Sequence, residues 1–292
     1  MPYEFKLLLA FGSSLIAILN GYSQNLVPNP SFENVKELRC DLNAPLLPPY
    51  TDPKVWFESI MYDWYLPTKL PAQIYSTLLD LDCQANPTRF ENGYPKDGYN
   101  MVEIELAILI SQPGANGRTY IQTKLSQPLQ EGRRYLVGGY QMLANNFGLF
   151  AANNLGMLFT QNRVETDTTL MLQFRPQFND PEINKDRYIW KPFGGCVKSA
   201  GNEQYLTIGG FYPDAETKVH QVIPSVDIRG ADVASYFIDS VYVEEVKEPN
   251  IPNVITPNQD CCNEKFVLQG AIANQWSVDI FNRWGQPVYR NR

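Results

Sequence analysis

The chain has 292 residues, of which 13% are aromatic and only 19% are charged. This length allows one large domain and a smaller segment, and the many aromatic residues favour β-strands over helices. The net charge of -7, without a basic cluster in the sequence, excludes nucleic acid as a partner, because phosphate binding requires clustered lysines and arginines.

Residues 1–23 have the pattern of a secretory signal peptide. Lys6 precedes an apolar run at 7–19, and small residues follow at the positions that a signal peptidase requires. The apolar run is too short for a membrane span. We therefore expect an exported protein that begins at Gln24 and has no membrane-spanning segment after cleavage.

Residues 236–246 alternate as a strand does, which predicts that Phe237, Val241 and Asp239 share one apolar face. An ionised carboxylate on such a face needs a partner, because its desolvation costs several kcal/mol. One partner would be a cation shared with a second carboxylate, for which Glu33 is the candidate. The alternative is that Asp239 accepts hydrogen bonds from backbone amides at a bend in the strand.

The sequences NPSFE at 29–33 and YFIDSV at 236–241 resemble the first and last strands of galactose-binding-like jelly rolls. That family includes many carbohydrate-binding modules, and its first and last strands often carry ligands of a structural calcium ion. The resemblance implies an all-β, jelly-roll β-sandwich with Ca2+ bound by Glu33 and Asp239. It does not identify a ligand for the domain.

Residues 55–65 lie in a loop-like part of the chain and concentrate aromatic side chains, among them Trp56, Tyr62 and Trp64. Sugars stack on exposed aromatic rings whose polar neighbours hold the hydroxyl groups. These three residues are therefore the candidate binding residues for a polysaccharide or surface glycan. The alternative is that their rings pack in the core of the domain.

An exported chain with five cysteines can form disulfides. Cys40 and Cys83 flank an irregular, proline-rich insertion and are the preferred pair, since closing this loop would stabilise the fold by roughly 4 kcal/mol in the chain-entropy model. Cys196 stands in a strand-like run that fits a core position. The adjacent Cys261 and Cys262 match no zinc-binding pattern, because His220 is the only histidine.

Further strands are predicted from short runs rich in β-branched and aromatic residues, separated by turn residues. In the run RRYLVGGYQM, the paired glycines predict a bulge or a close backbone approach. Strands this frequent fit two packed antiparallel sheets. The runs are 101–110, 119–125, 133–142, 154–160, 170–178, 188–197, 203–211 and 236–246.

The sequence contains little that supports catalysis. His220 stands in a predicted polar loop without a nucleophile motif nearby, and the carboxylate pairs at 180–182 and 214–216 have the pattern of solvated turns. No glycine-rich phosphate loop stands between a strand and a helix. We therefore expect a protein that is not an enzyme.

Beyond a linker at 248–252, the chain resembles a second family more specifically. NVITPNQDCCNEKF at 253–266 matches the opening loop of the gliding motility-associated C-terminal domain, the type B sorting signal of type IX secretion. SVDIFNRWGQPVY at 277–289 matches its central strand and turn. The resemblance implies that the type IX secretion machinery carries the protein across the outer membrane.

The chain also departs from this second family. Gln259 and Cys261 replace two loop glycines, and Glu264 replaces an aspartate. The sequence ends at Arg292, before the family's closing strands, and an open sheet would leave Trp284 little to pack against. We therefore expect an incomplete C-terminal β-sandwich and retention of this form in the periplasm.

The leading prediction is an exported, non-catalytic cell-surface module that binds carbohydrate. The alternatives are a structural or adhesive surface protein without a sugar site and, third, an enzyme that acts on polysaccharide. The predicted parts are a signal peptide at 1–23, a jelly-roll β-sandwich at 24–247, a linker at 248–252 and a truncated sorting domain at 253–292.

Overall fold

Two compact units divide the chain. Gln24–Lys247 forms the larger unit, and Glu248–Arg292 belongs to the other. The predicted signal peptide and the predicted disulfide between Cys40 and Cys83 lie outside the residues that the structure describes. The computed structural model describes residues 24–37, 52–79, 94–108, 116–144, 149–222, 233–246, 278–281, 284 and 286–291.

The larger unit consists of antiparallel strands and one short α-helix, as expected from its content of β-branched and aromatic residues. The elements in chain order are α1 (Pro53–Ile60), β1 (Trp64–Tyr65), β2 (Gln73–Ser76), β3 (Asn100–Ile108), β4 (Tyr120–Lys124), β5 (Arg134–Leu143), β6 (Phe150–Ala152), β7 (Leu155–Thr160), β8 (Phe178–Asp180), β9 (Lys191–Lys198), β10 (Tyr205–Gly210), β11 (Val219–Gln221) and β12 (Val233–Glu245).

Ten of these strands form two five-stranded sheets. Sheet I has the strand order β1-β4-β10-β7-β8, and sheet II has the order β2-β3-β12-β5-β9. All neighbours are antiparallel, and β6 pairs with β11 in a separate ribbon. Most neighbouring strands are distant in sequence, so the chain crosses repeatedly between the two sheets. The predicted all-β, jelly-roll β-sandwich is confirmed.

The core lies between the sheets and is formed by alternate residues of their strands. Leu206 and Ile208 of sheet I pack in one cluster with Ile104 and Val137 of sheet II, and all four are completely buried. Burying a side chain of this size stabilises a fold by roughly 1.5–3 kcal/mol. Apolar burial across the two inner faces therefore holds the sandwich together.

The helix α1 occupies part of the segment that the sequence analysis treated as a loop. Asp52 caps its N-terminus, since its side chain accepts a hydrogen bond from the backbone N of Lys54, and a proline begins the helix. The helix buries Trp56, Phe57 and Ile60 against the sandwich. No helix in the described part of the chain is long and apolar enough to cross a membrane.

A bulge in β12 reverses the alternation of its side chains. Ser240 has a positive φ of 50°, and the pairing with β5 shifts register at this point. Ile238 packs in the main core before the bulge and Val241 does so after it, whereas Phe237 packs in a separate cluster. The predicted common face of Phe237 and Val241 is therefore wrong, because one inserted residue shifts the period of two.

In the second unit, β13 (Val278–Phe281) and β14 (Pro287–Asn291) pair as an antiparallel hairpin. Trp284 stands in the connection between them, and 74% of its surface is exposed. The run that resembles the central strand and turn of the sorting family thus forms a strand pair.

Candidate functional site

The predicted metal ligand Asp239 is completely buried at the bulge of β12. Its Oδ2 accepts hydrogen bonds from the backbone N of Lys96 at 2.7 Å and of Asp97 at 3.0 Å. Its Oδ1 accepts one from the backbone N of Ser240 at 2.5 Å. Burial raises the pKa of Asp239 to about 7, while these amide donors oppose the shift. Backbone amides at a bend, the alternative left open by the sequence, surround this carboxylate.

The second predicted ligand, Glu33, accepts hydrogen bonds from the same segment. Its Oε1 receives the backbone N–H of Tyr99 at 2.9 Å and of Asn100 at 2.8 Å. Gly98 has a φ of +69°, and a Cβ built on it would lie 2.3 Å from the Cδ of Glu33. Only glycine allows the backbone to approach this carboxylate so closely.

Both carboxylates therefore accept hydrogen bonds from backbone amides of residues 96–100, and we call this arrangement the clasp. Within the described residues, no three His, Cys, Asp or Glu side chains are grouped so that they could hold a metal ion. Calcium typically takes about six to eight oxygen ligands, so backbone carbonyls would have to supply most of them. Calcium binding by Glu33 and Asp239 stays a prediction.

The predicted aromatic binding residues have different fates. Only 5% of Trp56 and 1% of Trp64 is exposed, and the indole Nε1 of Trp64 donates to the backbone O of Asn29 at 2.9 Å. Tyr62 is 44% exposed, and the amino group of Lys36 lies 5.3 Å from its ring centroid. Trp56 and Trp64 therefore pack in the core, the alternative that the sequence left open, because α1 and β1 turn their rings inward.

A different segment has the features of a binding site. Residues 161–177 connect β7 to β8 with neither helix nor extended strand, and we call this segment the strap. The strand predicted at 170–178 is thus wrong: Leu170 forms only an isolated bridge, with Gly117. Ordered connections longer than about 12–15 residues are uncommon in compact domains and are usually functional.

The strap lies on the outer face of sheet I and covers a small cluster of apolar side chains. Leu172 packs there with Tyr120, Leu158 and Phe211, and Val164 packs against the same cluster. The backbone N of Leu172 donates to the Oη of Tyr120 at 3.0 Å. Both apolar burial and a buried hydroxyl therefore hold the middle of the strap on the sheet.

Two buried polar side chains anchor the start of the strap. Lys54 is 8% exposed, and its Nζ donates to the backbone O of Thr166 at 2.7 Å. Gln122 is completely buried, accepts from the backbone N of Val164 at 3.1 Å and donates to Thr207 at 2.6 Å. Burying an ammonium and an amide is costly unless both form hydrogen bonds. These two residues therefore hold the start of the strap in one conformation.

The end of the strap is anchored to the strand that precedes it. The side chain of Gln177 accepts from the backbone N of Phe159 at 2.8 Å and donates to the backbone O of the same residue at 2.9 Å. These two hydrogen bonds take the place of those that a neighbouring strand would make with the backbone of Phe159 in β7. The strap is therefore held at its start, middle and end.

The strap lines an open cleft with a volume of about 600 Å3, which is typical of small-ligand sites. Phe174 and Leu170 on the strap are 44% and 54% exposed, so apolar surface is accessible beside amide and hydroxyl groups. The cleft is lined by Thr160, Gln161, Asn162, Arg163, Val164, Glu165, Thr166, Thr168, Met171, Leu172, Gln173 and Phe174.

The one cation of this lining, Arg163, is already neutralised. Its guanidinium stacks 4.1 Å from the ring centroid of Tyr65 and lies 2.5 Å from an oxygen of Glu58 and 3.6 Å from one of Glu165. Burial raises the pKa of Tyr65, so the phenol stays neutral. The described lining therefore offers hydrogen bonds and apolar contact without an uncompensated charge, which suits an uncharged polar ligand.

The residues considered for catalysis have structural surroundings. His220 is exposed on β11 and pairs with Ala151. Asp214 forms a 2.6 Å ion pair with Arg118, whose side chain is completely buried, so this carboxylate is not a solvated turn residue as predicted. The strap was missed because its anchors, above all Lys54, lie far from it in sequence.

Comparison with known families matches residues 249–292 to the CHU_C Type IX secretion signal domain. The chain thus carries a type IX secretion signal domain at its C-terminus, as the sequence predicted, and this signal marks the protein for export by the type IX secretion machinery. Comparison with curated proteins finds no similar sequence.

Two solved structures are similar to the chain at low sequence identity. The K2 cleaved adhesin domain of Lys-gingipain is 8% identical, with 64% of this chain and 90% of that chain covered and a TM-score of 0.35. A structure described as "CBM4 structure and function" is 11% identical, with 75% and 99% covered and a TM-score of 0.32.

Proposed function

We propose that this protein is a non-catalytic module that is displayed at the cell surface and binds an uncharged polysaccharide in the strap cleft. The observation that carries the proposal is the strap itself. A long irregular segment is held in one shape by buried side chains, and binding sites are commonly built on loops that a rigid scaffold positions.

The chemistry of the cleft supports a sugar ligand. Pyranose rings present an apolar face and a rim of hydroxyl groups. Phe174 offers a partly exposed ring for stacking, and the side-chain amides of Gln161, Asn162 and Gln173 can donate to and accept from hydroxyls. A preformed cleft also lowers the conformational entropy lost on binding.

The same residues favour binding over catalysis. Glycoside hydrolysis generally uses two carboxylates that face each other across the scissile bond. Of the residues described as lining the cleft, only Glu165 carries a carboxylate, and it lies 3.6 Å from Arg163 in an ion pair. A cleft of this composition can hold a sugar but has no acid and base in opposition.

A glycan array probed with the full chain tests the proposal. We expect binding to one or more neutral polysaccharides and a loss of about tenfold or more in affinity on Phe174→Ala, since stacking and burial of this ring are worth more than about 1.4 kcal/mol. Tyr188→Ala is the matched control, because Tyr188 is 71% exposed and lies outside the cleft.

Several outcomes would overturn this function. Binding that Tyr188→Ala reduces as much as Phe174→Ala does would place the sugar elsewhere. Absence of binding to any neutral glycan by the folded chain would favour a structural or adhesive role. Release of reducing sugar from a bound polysaccharide would show an enzyme. Surface display is tested separately, by protease accessibility on intact cells. Protection of the protein from protease there would favour the periplasmic retention expected of an incomplete sorting domain.

A further inference from the structure

The outer face of sheet II carries a tyrosine ring that lies against backbone. A Cβ built on Gly138 would lie 2.5 Å from the Oη of Tyr242, and one built on Gly194 would lie 3.0 Å from it. Gly138 is the pairing partner of both residues, Tyr242 on β12 and Gly194 on β9. The ring therefore crosses β5 toward β9, and glycine at both positions lets it lie close to the sheet.

A second tyrosine lies beside the first. Tyr140 is two residues from Gly138 on β5 and hence on the same face. The Nζ of Lys96 lies 4.7 Å from its ring centroid, a cation–π contact. Both Tyr140 and Tyr242 are partly exposed. Two adjacent rings with accessible surface and a cation at their edge thus occupy the middle of this face.

The other end of the face carries two cations that oppose each other. Arg134 and Lys198 are directly paired across β5 and β9, and both are exposed. They point outward, because their neighbours Tyr135 and Val197 pack in the core. Within the described residues neither cation has an ion-pair partner. Like charges directly opposite each other destabilise a sheet. This pair therefore lowers the stability of the fold, and the fold alone does not explain why both residues are cationic.

The cations and the rings lie along one line. Tyr140 and Arg134 stand at opposite ends of the exposed part of β5, separated by roughly 20 Å at the usual rise of a strand. Glu244, partly buried beside Leu136, is the acidic residue of this stretch, and burial raises its pKa. Lys96 lies at one end of the line, and Arg134 with Lys198 at the other.

We propose that this surface, formed by Lys96, Tyr140, Tyr242, Gly138, Arg134 and Lys198, is a second binding site that takes an anionic polysaccharide. Sugar rings stack on the two tyrosines, and carboxylate or sulfate groups bind the cations through charge-assisted hydrogen bonds. The site goes beyond the strap cleft, because it lies on the opposite side of the sandwich and uses uncompensated charge, whereas the charges of the cleft are paired.

The charges select this occupant over a second copy of the chain. A symmetric contact between copies would set this surface against itself, so its cations would face a surface of the same sign, which raises the repulsion instead of relieving it. An anionic chain that spans the roughly 20 Å between Tyr140 and Arg134 relieves it, because its charges meet the cations at both ends of the line. The overall charge of -7 makes a cationic surface with unpaired members distinctive for this protein.

Affinity electrophoresis of the full chain tests the site in gels that contain polygalacturonate, dextran sulfate or neutral dextran. We expect retardation by an anionic gel, and the first two gels distinguish carboxylate from sulfate ligands. The double variant Arg134→Ala/Lys198→Ala should weaken this binding by about tenfold or more, since it removes two donors of charge-assisted hydrogen bonds. Tyr242→Ala should weaken it as well.

The matched control is Lys124→Ala/Lys218→Ala, which removes the same charge from two exposed residues elsewhere on the sandwich. Equal losses in both double variants would reduce the effect to net charge and overturn the site. So would wild-type retardation of Arg134→Ala/Lys198→Ala, or sedimentation showing that this surface joins two copies. Phe174→Ala should leave anionic binding unchanged, so failure of the strap cleft and failure of this site are distinguishable.

Discussion

Glu33 and Asp239 hold one segment of backbone between them. Asp239 accepts the amides of Lys96 and Asp97, and Glu33 accepts those of Tyr99 and Asn100. A carboxylate near the start of the sandwich and one on its last strand are thereby tied to the loop that precedes β3. In the clasp, hydrogen bonds from backbone amides of the chain itself compensate the two carboxylates.

Asp239→Ala should lower the unfolding free energy by at least about 3 kcal/mol, because it leaves buried amides without an acceptor. If calcium also binds here, CaCl2 should raise the melting temperature of the wild-type protein and EDTA should lower it, with no such response in Asp239→Ala. Differential scanning calorimetry measures both. Glu182→Ala removes an exposed carboxylate and serves as control. A wild-type protein indifferent to calcium and chelator would contradict the calcium site and leave the clasp intact.

Trp64→Ala should destabilise the sandwich by about 3–5 kcal/mol. Its ring is 1% exposed and packs 5.0 Å from the ring of Phe32, and its indole bonds Asn29. Urea denaturation measures the loss. Tyr62→Ala, at a residue 44% exposed, should change stability by less than about 0.5 kcal/mol. Similar losses in the two variants would contradict the assignment of Trp64 to the core.

Ser240→Gly should stabilise the protein by about 1 kcal/mol, because Ser240 has a φ of 50°, a region costly for residues with a Cβ. Ser240→Val should destabilise it, since a β-branched side chain tolerates positive φ least. Ser240→Ala keeps the Cβ and separates the hydroxyl from the backbone effect. Equal urea midpoints for the glycine and valine variants would show that the bulge does not depend on this conformation.

Glu105 should make stability depend on pH. Burial, with a smaller effect of Glu103, raises its pKa from 4.5 to about 7 in the folded state. The folded state therefore binds more protons than the unfolded state between these values. The resulting stabilisation is complete below about pH 4.5 and is lost as the pH rises through 7.

Urea denaturation between pH 4 and 8 measures this effect. Glu105→Gln should flatten the decline, because the amide does not titrate. Asp239, whose pKa is also raised to about 7 by burial, adds a decline of the same sign that the variant keeps. A Glu105→Gln protein with the wild-type pH profile would contradict the raised pKa.

Lys54→Met should loosen the strap. The variant keeps the apolar stem of the side chain but loses the 2.7 Å hydrogen bond to the backbone O of Thr166 and the ion pair with Asp167. We expect faster amide hydrogen exchange in residues 161–177 and weaker binding of any ligand of the cleft. Lys69→Met, which removes an ammonium 3.4 Å from Asp167 with a side chain 40% exposed, is the control and should have the smaller effect. Unchanged exchange in Lys54→Met would show that the strap is held without it.

Local sequence signals were sufficient for most of the strands and for the secretion signal. Period-two alternation and turn residues located β3, β5, β7, β10 and β12, because a strand half-buried in a sandwich imposes that alternation on its own residues. The glycines at 138 and 139 predicted a bulge or a close backbone approach, and at Gly138 the backbone O of Phe193 makes this approach, together with the Oη of Tyr242. The buried state of Asp239 also followed from its neighbours along the chain.

What the sequence by itself determined was therefore the all-β class, the sorting segment and the need to compensate Asp239. Only the tertiary structure decided what does so: besides the adjacent amide of Ser240, the amides of Lys96 and Asp97, which lie more than a hundred residues away from Asp239 in sequence. The tertiary structure also places the ring of Trp64 in the core and the strap over sheet I, where Lys54 holds it by a hydrogen bond. Patterns of two or 3.6 residues report which face a side chain takes, whereas its partner across the sandwich depends on strand order, which no local pattern encodes.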